Sequence, residues 1–283
     1  MNMNRRTILG AACLSLVAKP VLAATPPQRI VSLNPCLDAI LVRIAPRHQI
    51  AAISHYSRIA QQSNIHRLAL TLPITYESAE EIVALRPDMV LTSQHSSRAT
   101  RQALERLGIP VERFAVPQTV DESLEQLIRI GDLLGRPQRA LALKSEIQTA
   151  IDQHAIPRSA KRFKAVIFQP NGFAAGQGTL MSEMMQRAGL DNVAGRYGIG
   201  KWGNLPIEGL LADPPDVILS GSGSAGARSW AERVMLHPSL RALSSRVVQA
   251  SLPERLLYCG GPVLIETAAA LKRAHAHALE ALA

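Results

Sequence analysis

One segment of this chain occurs twice, and the repetition constrains the fold more than any other feature. The first copy occupies residues 80–91 and the second occupies residues 208–219. Each copy predicts a short helix, a Pro-Asp turn and a buried strand, which is the order of an αβ unit. Both copies also place a glutamate seven residues before the proline of the turn, Glu80 and Glu208, although an αβ turn does not require one. The chain is therefore expected to contain two related α/β halves.

Short aliphatic runs alternate with helical patterns in both halves. Such alternation is typical of parallel sheets whose strands are joined by helices. The predicted fold class is α/β, with two parallel-sheet lobes. The strands are predicted at residues 30–33, 50–53, 89–91 and 111–114 in the first half and at 165–168, 217–219 and 247–248 in the second.

Two helices are predicted between the halves. Thr119 and Glu122 have the spacing of a capping box and begin the first helix. Pro137 begins the second, and no glycine or further proline follows before His154, so this helix reaches roughly 27 Å at 1.5 Å per residue and is long enough to bridge two lobes. The resulting division is an N-terminal lobe at 24–118, a helical connection at 119–160 and a C-terminal lobe at 161–283.

The first 23 residues predict an export signal, which takes no part in the fold. Arg5 and Arg6 precede a short apolar run, and small side chains stand ahead of Ala24. The twin-arginine spacing, together with Lys19 near the cleavage site, favours export of the folded protein, and the general secretory route stays open. We expect a periplasmic protein whose mature chain does not insert into the membrane.

Composition and motifs exclude several function classes. The net charge is +9, but the basic residues are interspersed with acids and form no block, so nucleic-acid binding is not expected. Residues 221–226 match G-x-G-x-x-G but lack the acid about twenty residues later that a dinucleotide site needs. Residues 195–201 nearly match a phosphate loop, but Trp202 stands at the next position, where that loop needs a serine or threonine hydroxyl to hold magnesium. No G-x-S-x-G elbow occurs, and we expect no enzymatic activity.

Aromatic residues make up only 4% of the chain, so their placement is informative. Several are predicted in loops at the ends of strands or helices, where a flat apolar ring with a polar handle suits a large ring-bearing or chelated ligand. The alternative, that individual rings cap the core, stays open. The loop aromatics are Tyr56, Tyr76, Phe173, Tyr197, Trp202 and Tyr258.

Four of the eight histidines are considered as ligands, and they form two pairs. His55 and His95 each follow a predicted strand, where α/β folds place ligand loops. His275 and His277 are two positions apart on a predicted helix and face different directions, so they are interpreted as solvated.

Several further pieces of the chain carry a family likeness. They are, in order, 29–35, 78–88, 107–111, 174–180, Trp202, 208–216 and 237–240. Their order and spacing resemble those of the class III periplasmic substrate-binding proteins of ABC importers, which carry iron-siderophore chelates, haem or vitamin B12. The resemblance implies two α/β lobes joined by a single long helix, with a ligand cleft between the lobes and only modest closure.

The resemblance also implies two kinds of contact outside the ligand. Glu80 and Glu208 match the family positions that dock on a permease dimer, where arginines are expected to meet them. Cys36 and Cys259 lie in loops that the family directs toward the cleft. A disulfide that ties the lobes together and free thiols that line the pocket or touch a metal centre are both open.

The ligand is constrained by conflicting likenesses. Residues 54–57 resemble the stretch that gives vitamin B12 binders a stacking tyrosine, and Trp202 matches a pocket tryptophan. Trp202 also resembles hydroxamate-siderophore binders, where the His95 position carries a tyrosine, but Ile74 stands where those proteins have an arginine. The predicted ligand-binding residues are His55, Tyr56, Arg58, His95, Phe173, Trp202 and Tyr258.

The expected function is the capture of a metal chelate, a ferric siderophore or a corrinoid, and its delivery to an ABC permease dimer with a cytoplasmic ATPase. No intrinsic cofactor is expected, the bound ligand is an iron or cobalt chelate, and the protein is expected to be a monomer. The alternative is a periplasmic binding protein or metallochaperone that binds a bare transition-metal ion through His55, His95 and the cleft cysteines.

Overall fold

Two parallel sheets form the framework of the computed structural model, which describes residues 25–169, 172–221 and 246–283. The first sheet has the strand order β3-β2-β1-β4-β5 and the second has the order β11-β10-β6-β8, while β7 and β9 form a short antiparallel ribbon. The predicted α/β class with two parallel-sheet lobes is confirmed. The strands are β1 Ile30–Ser32, β2 Ile50–Ser54, β3 Ile74–Thr75, β4 Met89–Ser93, β5 Val111–Phe114, β6 Phe163–Ile167, β7 Phe173–Ala175, β8 Leu190–Asn192, β9 Trp202–Asn204, β10 Val217–Ser220 and β11 Val248–Ser251.

Nine α-helices are found in the described ranges, and most of them connect successive strands. The export signal, most of the 221–226 glycine motif and the family likeness at 237–240 lie outside these ranges. No helix in the described part of the chain combines the length and hydropathy that a membrane span requires. The helices are α1 Pro35–Ile44, α2 His66–Ala69, α3 Ala79–Ala84, α4 Arg98–Arg106, α5 Val120–Leu133, α6 Pro137–His154, α7 Leu180–Arg187, α8 Ile207–Ala212 and α9 Val263–Ala281.

Successive residues of the central strands face opposite sides of each sheet. Ile30 of β1 and Ile167 of β6 belong to one buried cluster, which also includes residues of α5, α6 and α9. Val31 and Val166, the neighbouring residues on the same strands, belong to separate clusters on the outer faces. Because both faces are buried, the strands read as continuous aliphatic runs. The first cluster extends from one sheet to the other, so the two lobes share a core.

The repeated Pro-Asp turn has the same structural role in both sheets. The carboxylate of Asp88, just before β4, accepts hydrogen bonds from the backbone N–H groups of Gln28 at 2.6 Å and Arg29 at 2.9 Å, just before β1. The carboxylate of Asp216, just before β10, accepts one from the N–H of Lys164 in β6 at 2.7 Å. Each aspartate therefore ties the start of its strand to the parallel neighbour, and the repeat is confirmed as a repeated αβ unit.

The two predicted connecting helices are present. Thr119 Oγ1 accepts a hydrogen bond from the N–H of Glu122 at 3.1 Å, and the Glu122 carboxylate accepts one from the N–H of Gln118 at 2.7 Å. In a standard capping box the glutamate would accept from the N–H of the N-cap residue Thr119, but here it accepts from the preceding residue, Gln118. The second helix, α6, spans Pro137 to His154 as predicted and packs against both α5 and α9. The lobe boundaries at 118 and 160 stay predictions.

The interpretation of His275 as a solvated helix residue is wrong. Its side chain is buried, its Nε2 lies 2.8 Å from the carbonyl oxygen of Lys161, and its ring meets that of Phe163 edge-on with centroids 5.3 Å apart. The position follows the buried Leu271 by one helical turn, so it shares the face that α9 turns to the core. His277 is exposed, as expected.

Candidate ligand-binding site

Ring-bearing residues of the first half gather at the carboxyl edge of its sheet. His55 and Tyr56 follow β2, Tyr76 follows β3 and His95 follows β4. Because these strands are parallel, their loops leave the sheet at one edge, which is where open α/β sheets bind ligands. The ring centroid of His55 lies 4.0 Å from that of Tyr56 and 4.8 Å from that of Tyr76. We call these three residues the aromatic edge.

The two tyrosines of the aromatic edge do not cap the core. The Tyr56 side chain is 41% exposed and the Tyr76 side chain is 66% exposed. His95 is also exposed, but it lies two strands away and its Nε2 is 3.3 Å from the Gln94 amide nitrogen. The structure therefore brings His55 and Tyr56 together with Tyr76 and leaves His95 apart from them.

A buried carboxyl group holds the turn that carries the aromatic edge. Asp38 in α1 is fully buried, and its Oδ2 accepts hydrogen bonds from the Ser57 hydroxyl at 2.6 Å and from the N–H of Ser54 at 3.0 Å. Burial raises the pKa of Asp38 to about 8, and the serine hydrogen bonds oppose that rise. Asp38 thereby fixes the turn at 55–58 to the interior of the first half.

A second carboxylate, that of Glu77, lies beneath the aromatic edge. Its backbone has a φ of +71°, an unfavourable value for a residue with a side chain. Three hydrogen bonds hold it: its N–H donates to Thr75 Oγ1 at 3.0 Å, its carbonyl accepts from Thr100 Oγ1 at 3.1 Å, and its carboxylate accepts from Ser54 Oγ at 3.1 Å. Burial raises the pKa of Glu77, while the Ser54 hydroxyl and nearby His55 act to lower it. The ends of β2 and β3 are thus joined by a polar network.

Arg58 lies in the same turn as His55 and Tyr56, but its guanidinium is hydrogen-bonded to the protein backbone. Its guanidinium donates from Nε to the carbonyl of Ala69 at 3.1 Å and from Nη2 to the carbonyl of Leu72 at 2.8 Å. These bonds fasten the end of α2 and the segment after it to the turn. The role of Arg58 in ligand binding stays a prediction.

The second half presents a stacked aromatic pair. Phe173 and Trp202 were expected in loops, but they lie in β7 and β9, where they form a diagonal pair across the antiparallel ribbon. Their rings are nearly parallel, with centroids 5.4 Å apart and an interplanar angle of 5°, and Trp202 is 39% exposed. The ribbon begins where β6 ends, since the N–H of Gln169 donates to the carbonyl of Phe173 at 3.0 Å. The pair therefore extends from the carboxyl edge of the second sheet.

A disulfide at the carboxyl ends of the two sheets joins the first turn of α1 to a loop after β11, so Cys36 lies in a helix and not in the predicted loop. Cys36 follows β1 and Cys259 follows β11, and their sulfur atoms lie 2.09 Å apart with the Cα atoms at 5.0 Å. Of the two states that the sequence left open, the structure has the disulfide and not the free thiols. The bridge brings the carboxyl edge of one sheet to that of the other, as a cleft between the lobes requires.

Tyr258 precedes the disulfide and lies where the two halves meet. Its side chain is 41% exposed, and burial, reinforced by the charge of Glu254, raises its pKa to about 12. It lines a small cavity together with Asn34 and Phe114 of the first half. Tyr258 therefore lies against residues of the first half.

Residues 30–245 match the family described as Periplasmic binding protein. The chain belongs to this family. A vitamin B12-binding protein of Yersinia pestis (strain Pestoides F) is 24% identical over 221 residues, which cover 76% of this chain and 77% of the relative.

Solved structures of periplasmic binding proteins share the fold. A periplasmic heme binding protein from Pseudomonas aeruginosa superposes with a TM-score of 0.71 at 24% identity, covering 88% of this chain and 92% of that one. The periplasmic vitamin B12 binding protein BtuF of Vibrio cholerae superposes with a TM-score of 0.67 at 18% identity, covering 90% and 99%. At these identities the likeness establishes the architecture of the two lobes.

The two predicted docking glutamates occupy equivalent places in this periplasmic binding protein. Glu80 is the second residue of α3 and Glu208 is the second residue of α8, and both are exposed. The neighbouring Glu81 differs, because its carboxylate accepts hydrogen bonds from Thr75 Oγ1 at 3.0 Å and from the N–H of Tyr76 at 2.8 Å. The internal repeat thus places one outward carboxylate at the start of the same helix in each half.

The residues of the bare-ion alternative are not assembled in this periplasmic binding protein. Within the described ranges, no group of three or more His, Cys, Asp or Glu side chains has an arrangement that holds a metal ion. Cys36 and Cys259 offer no thiolates because they are joined to each other. His55 and His95 therefore lack the sulfur ligands that this alternative requires.

Three residues of the site were missed by the sequence reasoning. Tyr76 was recognised as a loop aromatic but left out of the predicted ligand set, and Asp38 and Glu77 were not considered. Asp38 has a recognisable signal, since it is a single acid within the apolar run that begins α1. Glu77 has none, because its place depends on a backbone conformation that a glutamate rarely adopts.

Proposed function

We propose that this periplasmic binding protein captures a large, ring-bearing metal chelate, a corrinoid or a haem, and delivers it to the permease dimer of an ABC importer. The observation that carries the proposal is that each sheet presents exposed or half-buried aromatic rings at its carboxyl edge. The first sheet presents the aromatic edge, and the second presents Phe173 and Trp202.

The chemistry of these surfaces suits a flat, extended ligand. Aromatic rings gain from offset stacking and from the burial of their apolar faces, and both gains grow with the size of the ring system that covers them. Tyr56 and Tyr76 add hydroxyl groups that can hydrogen-bond to the polar rim of a chelate. A bare ion has no face to stack on, so the exposed rings favour a chelate.

The relatives support the same ligand class. The curated relative is named for vitamin B12 binding, and the solved structures include proteins named for heme and for vitamin B12. A ferric siderophore is the second candidate, favoured by Trp202 and Gly203 but weakened by Ile74, which offers no charge to an anionic or hydroxamate chelate. Both candidates are iron or cobalt chelates and share the proposed site.

Delivery is proposed to depend on Glu80 and Glu208. Exposed carboxylates at equivalent places in two halves suit a contact at two points with a pseudo-symmetric partner whose arginines pair with them bidentately. The function is binding and release, with no reaction catalysed by the chain. Export to the periplasm through the signal at residues 1–23 belongs to the same proposal.

Equilibrium titration of the purified protein tests the proposal. The probes are cyanocobalamin, haemin, a ferric hydroxamate and zinc chloride, followed by tryptophan fluorescence and visible absorbance. We expect saturable binding of one of the first two probes in a one-to-one complex. The Tyr56→Ala variant should weaken that binding, whereas Tyr197→Phe, which removes a hydroxyl that donates to the Asp213 carbonyl at 2.6 Å, should not. Binding of zinc with no binding of any chelate would refute the proposal.

A further inference from the structure

We infer that the Cys36–Cys259 disulfide is a positioning element of the ligand site, which holds Tyr258 at the carboxyl edge of the first sheet. The inference rests on the proposed function, because it assigns Tyr258 to the ligand surface. It differs from a purely structural role for the disulfide, in which removing the bond would lower stability and leave ligand affinity unchanged.

The disulfide is anchored rigidly on the side of the first half. Cys36 lies in the first turn of α1, where the Asn34 side chain accepts hydrogen bonds from the N–H groups of Cys36 at 2.9 Å and Leu37 at 3.3 Å. Two residues further along the same helix, Asp38 holds the turn that carries Tyr56. The first turns of α1 therefore connect to the Tyr56 turn through a buried carboxyl group and to Cys259, the residue after Tyr258, through the disulfide.

The segment after the disulfide packs tightly on α1 and α5. The N–H of Gly261 donates to Ser123 Oγ at 2.7 Å, and its φ is +61°. A Cβ on Gly261 would lie 2.9 Å from Ile40 Cγ1, and a Cβ on Gly260 would overlap the Ser123 hydroxyl. Only glycine fits these two positions, so the backbone that follows Tyr258 is seated against the first half.

The position of the disulfide is more informative than its presence. The two halves already share a buried core through α5, α6 and α9, so a covalent bond is not needed to keep them together. The disulfide instead lies at the carboxyl edges of the two sheets, next to Tyr258, whose side chain is 41% exposed. A side chain exposed to this extent is only partly fixed by its own packing, and the disulfide of the next residue supplies a further restraint. An oxidising periplasm would keep the bond formed.

A double-mutant cycle tests the inference with whichever of cyanocobalamin and haemin the wild-type protein binds. We expect Tyr258→Ala to weaken binding about tenfold, as for a lost aromatic contact. The Cys36→Ser/Cys259→Ser variant should weaken it by a similar factor, and adding Tyr258→Ala to that variant should change little further, since both changes remove the same contact. Wild-type affinity in the cysteine variant, or full additivity of the two effects, would overturn the inference.

Hydrogen exchange gives a readout that needs no ligand. Amide exchange across 256–262 should accelerate about tenfold or more in the cysteine variant, because the restraint on local opening is lost. If that variant does not fold, the same exchange is measured on wild-type protein whose disulfide has been chemically reduced, at a temperature below the melting temperature of the reduced protein. Unchanged exchange would overturn the inference. Failure of the wild-type protein to bind any probe would instead refute the proposed function, while the exchange result still decides the restraint.

A contact between the second half and the helical connection provides the matched control. Glu183 in α7 accepts a hydrogen bond from the N–H of Val120 at the start of α5 at 2.8 Å. Glu183→Ala removes a restraint between the second half and the helical connection without touching Tyr258, so it should lower the melting temperature and leave both the ligand affinity and the exchange of 256–262 unchanged. An equal loss of affinity in this variant would show that general loosening, and not the position of Tyr258, is responsible.

Discussion

The Ser57 hydroxyl donates a hydrogen bond of 2.6 Å to Asp38 Oδ2, and this contact joins the interior of α1 to the turn that carries His55 and Tyr56. The residues that face the ligand in our proposal are therefore placed by residues that never meet it. A binding site needs such buried hydrogen bonds if its exposed side chains are to be held in one geometry.

Removing this support should destabilise the protein. Asp38→Ala leaves the Ser57 hydroxyl and the N–H of Ser54 without their acceptor, and each orphaned buried donor costs about 1–3 kcal/mol. Asp38→Asn keeps an acceptor oxygen and should cost less. Urea denaturation of the three proteins measures the difference. Equal midpoints for the alanine variant and the wild type would contradict the role assigned to Asp38.

The raised pKa of Asp38 predicts a pH dependence of stability. Its pKa rises from 3.8 in the unfolded chain to about 8 in the folded protein. Between these values the folded protein holds a proton that the unfolded chain has released, so the contribution of Asp38 to stability is present at low pH and declines as pH rises from about 4 to about 8. Comparing urea midpoints across this range should show a steeper decline for the wild type than for Asp38→Asn. Identical slopes would show that the carboxyl does not titrate in this way.

Loss of the tryptophan in the stacked pair should weaken ligand binding. Trp202→Ala removes an exposed ring and is expected to cost about 1–3 kcal/mol of binding free energy, the range for a buried aromatic contact at an interface. Tyr56→Ala should act in the same direction from the other half. Titration with cyanocobalamin and haemin measures both, with Tyr197→Phe as the control. Unchanged dissociation constants for both alanine variants would refute the assignment of the two aromatic surfaces.

Charge reversal at the docking glutamates should separate transport from binding. Glu80→Arg/Glu208→Arg should leave folding and ligand affinity intact, since exposed positions usually shift stability by under about 0.5 kcal/mol. The same variant should abolish uptake in cells, and each single variant should be milder because one contact remains. The control is charge reversal at an exposed glutamate outside the docking positions. Glu81 is unsuitable because its carboxylate accepts hydrogen bonds at the end of β3, so Glu105→Arg on α4 is used. Wild-type uptake by the double variant, or loss of its ligand affinity, would exclude the docking role.

The route of export is tested by changing the two arginines of the predicted signal. Replacing Arg5 and Arg6 with lysine should leave the precursor in the cytoplasm if the twin-arginine route is used. Fractionation of cells that express the variant measures this. Normal export would indicate the general secretory route and would leave the periplasmic location unaffected.

Much of the fold was predictable because its signals are local. A buried parallel strand appears as an aliphatic run, a capping pair marks the start of α5, and Pro137 begins α6. The repeat even located the αβ units that place Glu80 and Glu208. Where prediction failed, at His275, a polar side chain lay on a core-facing position and was satisfied by a carbonyl from a distant segment, which periodicity does not reveal.

The candidate site was predictable only in part. The loops that carry His55, Tyr56 and Tyr258 were identified because they follow strands, but the sequence left the pairing of Cys36 with Cys259 open. Pairings across 223 residues depend on how the two halves come together, which no local pattern encodes. The same holds for the Phe173–Trp202 stack, which forms through an antiparallel ribbon between segments that were both taken for loops.

Native mass spectrometry of the protein isolated from the periplasm of cells grown with both cyanocobalamin and haemin tests the central claim most directly. We expect a single adduct per chain with the mass of one of these chelates, accompanied by its visible absorbance, and a reduced adduct in Trp202→Ala. A protein that carries no chelate, or that carries only a bare metal ion, would contradict the account.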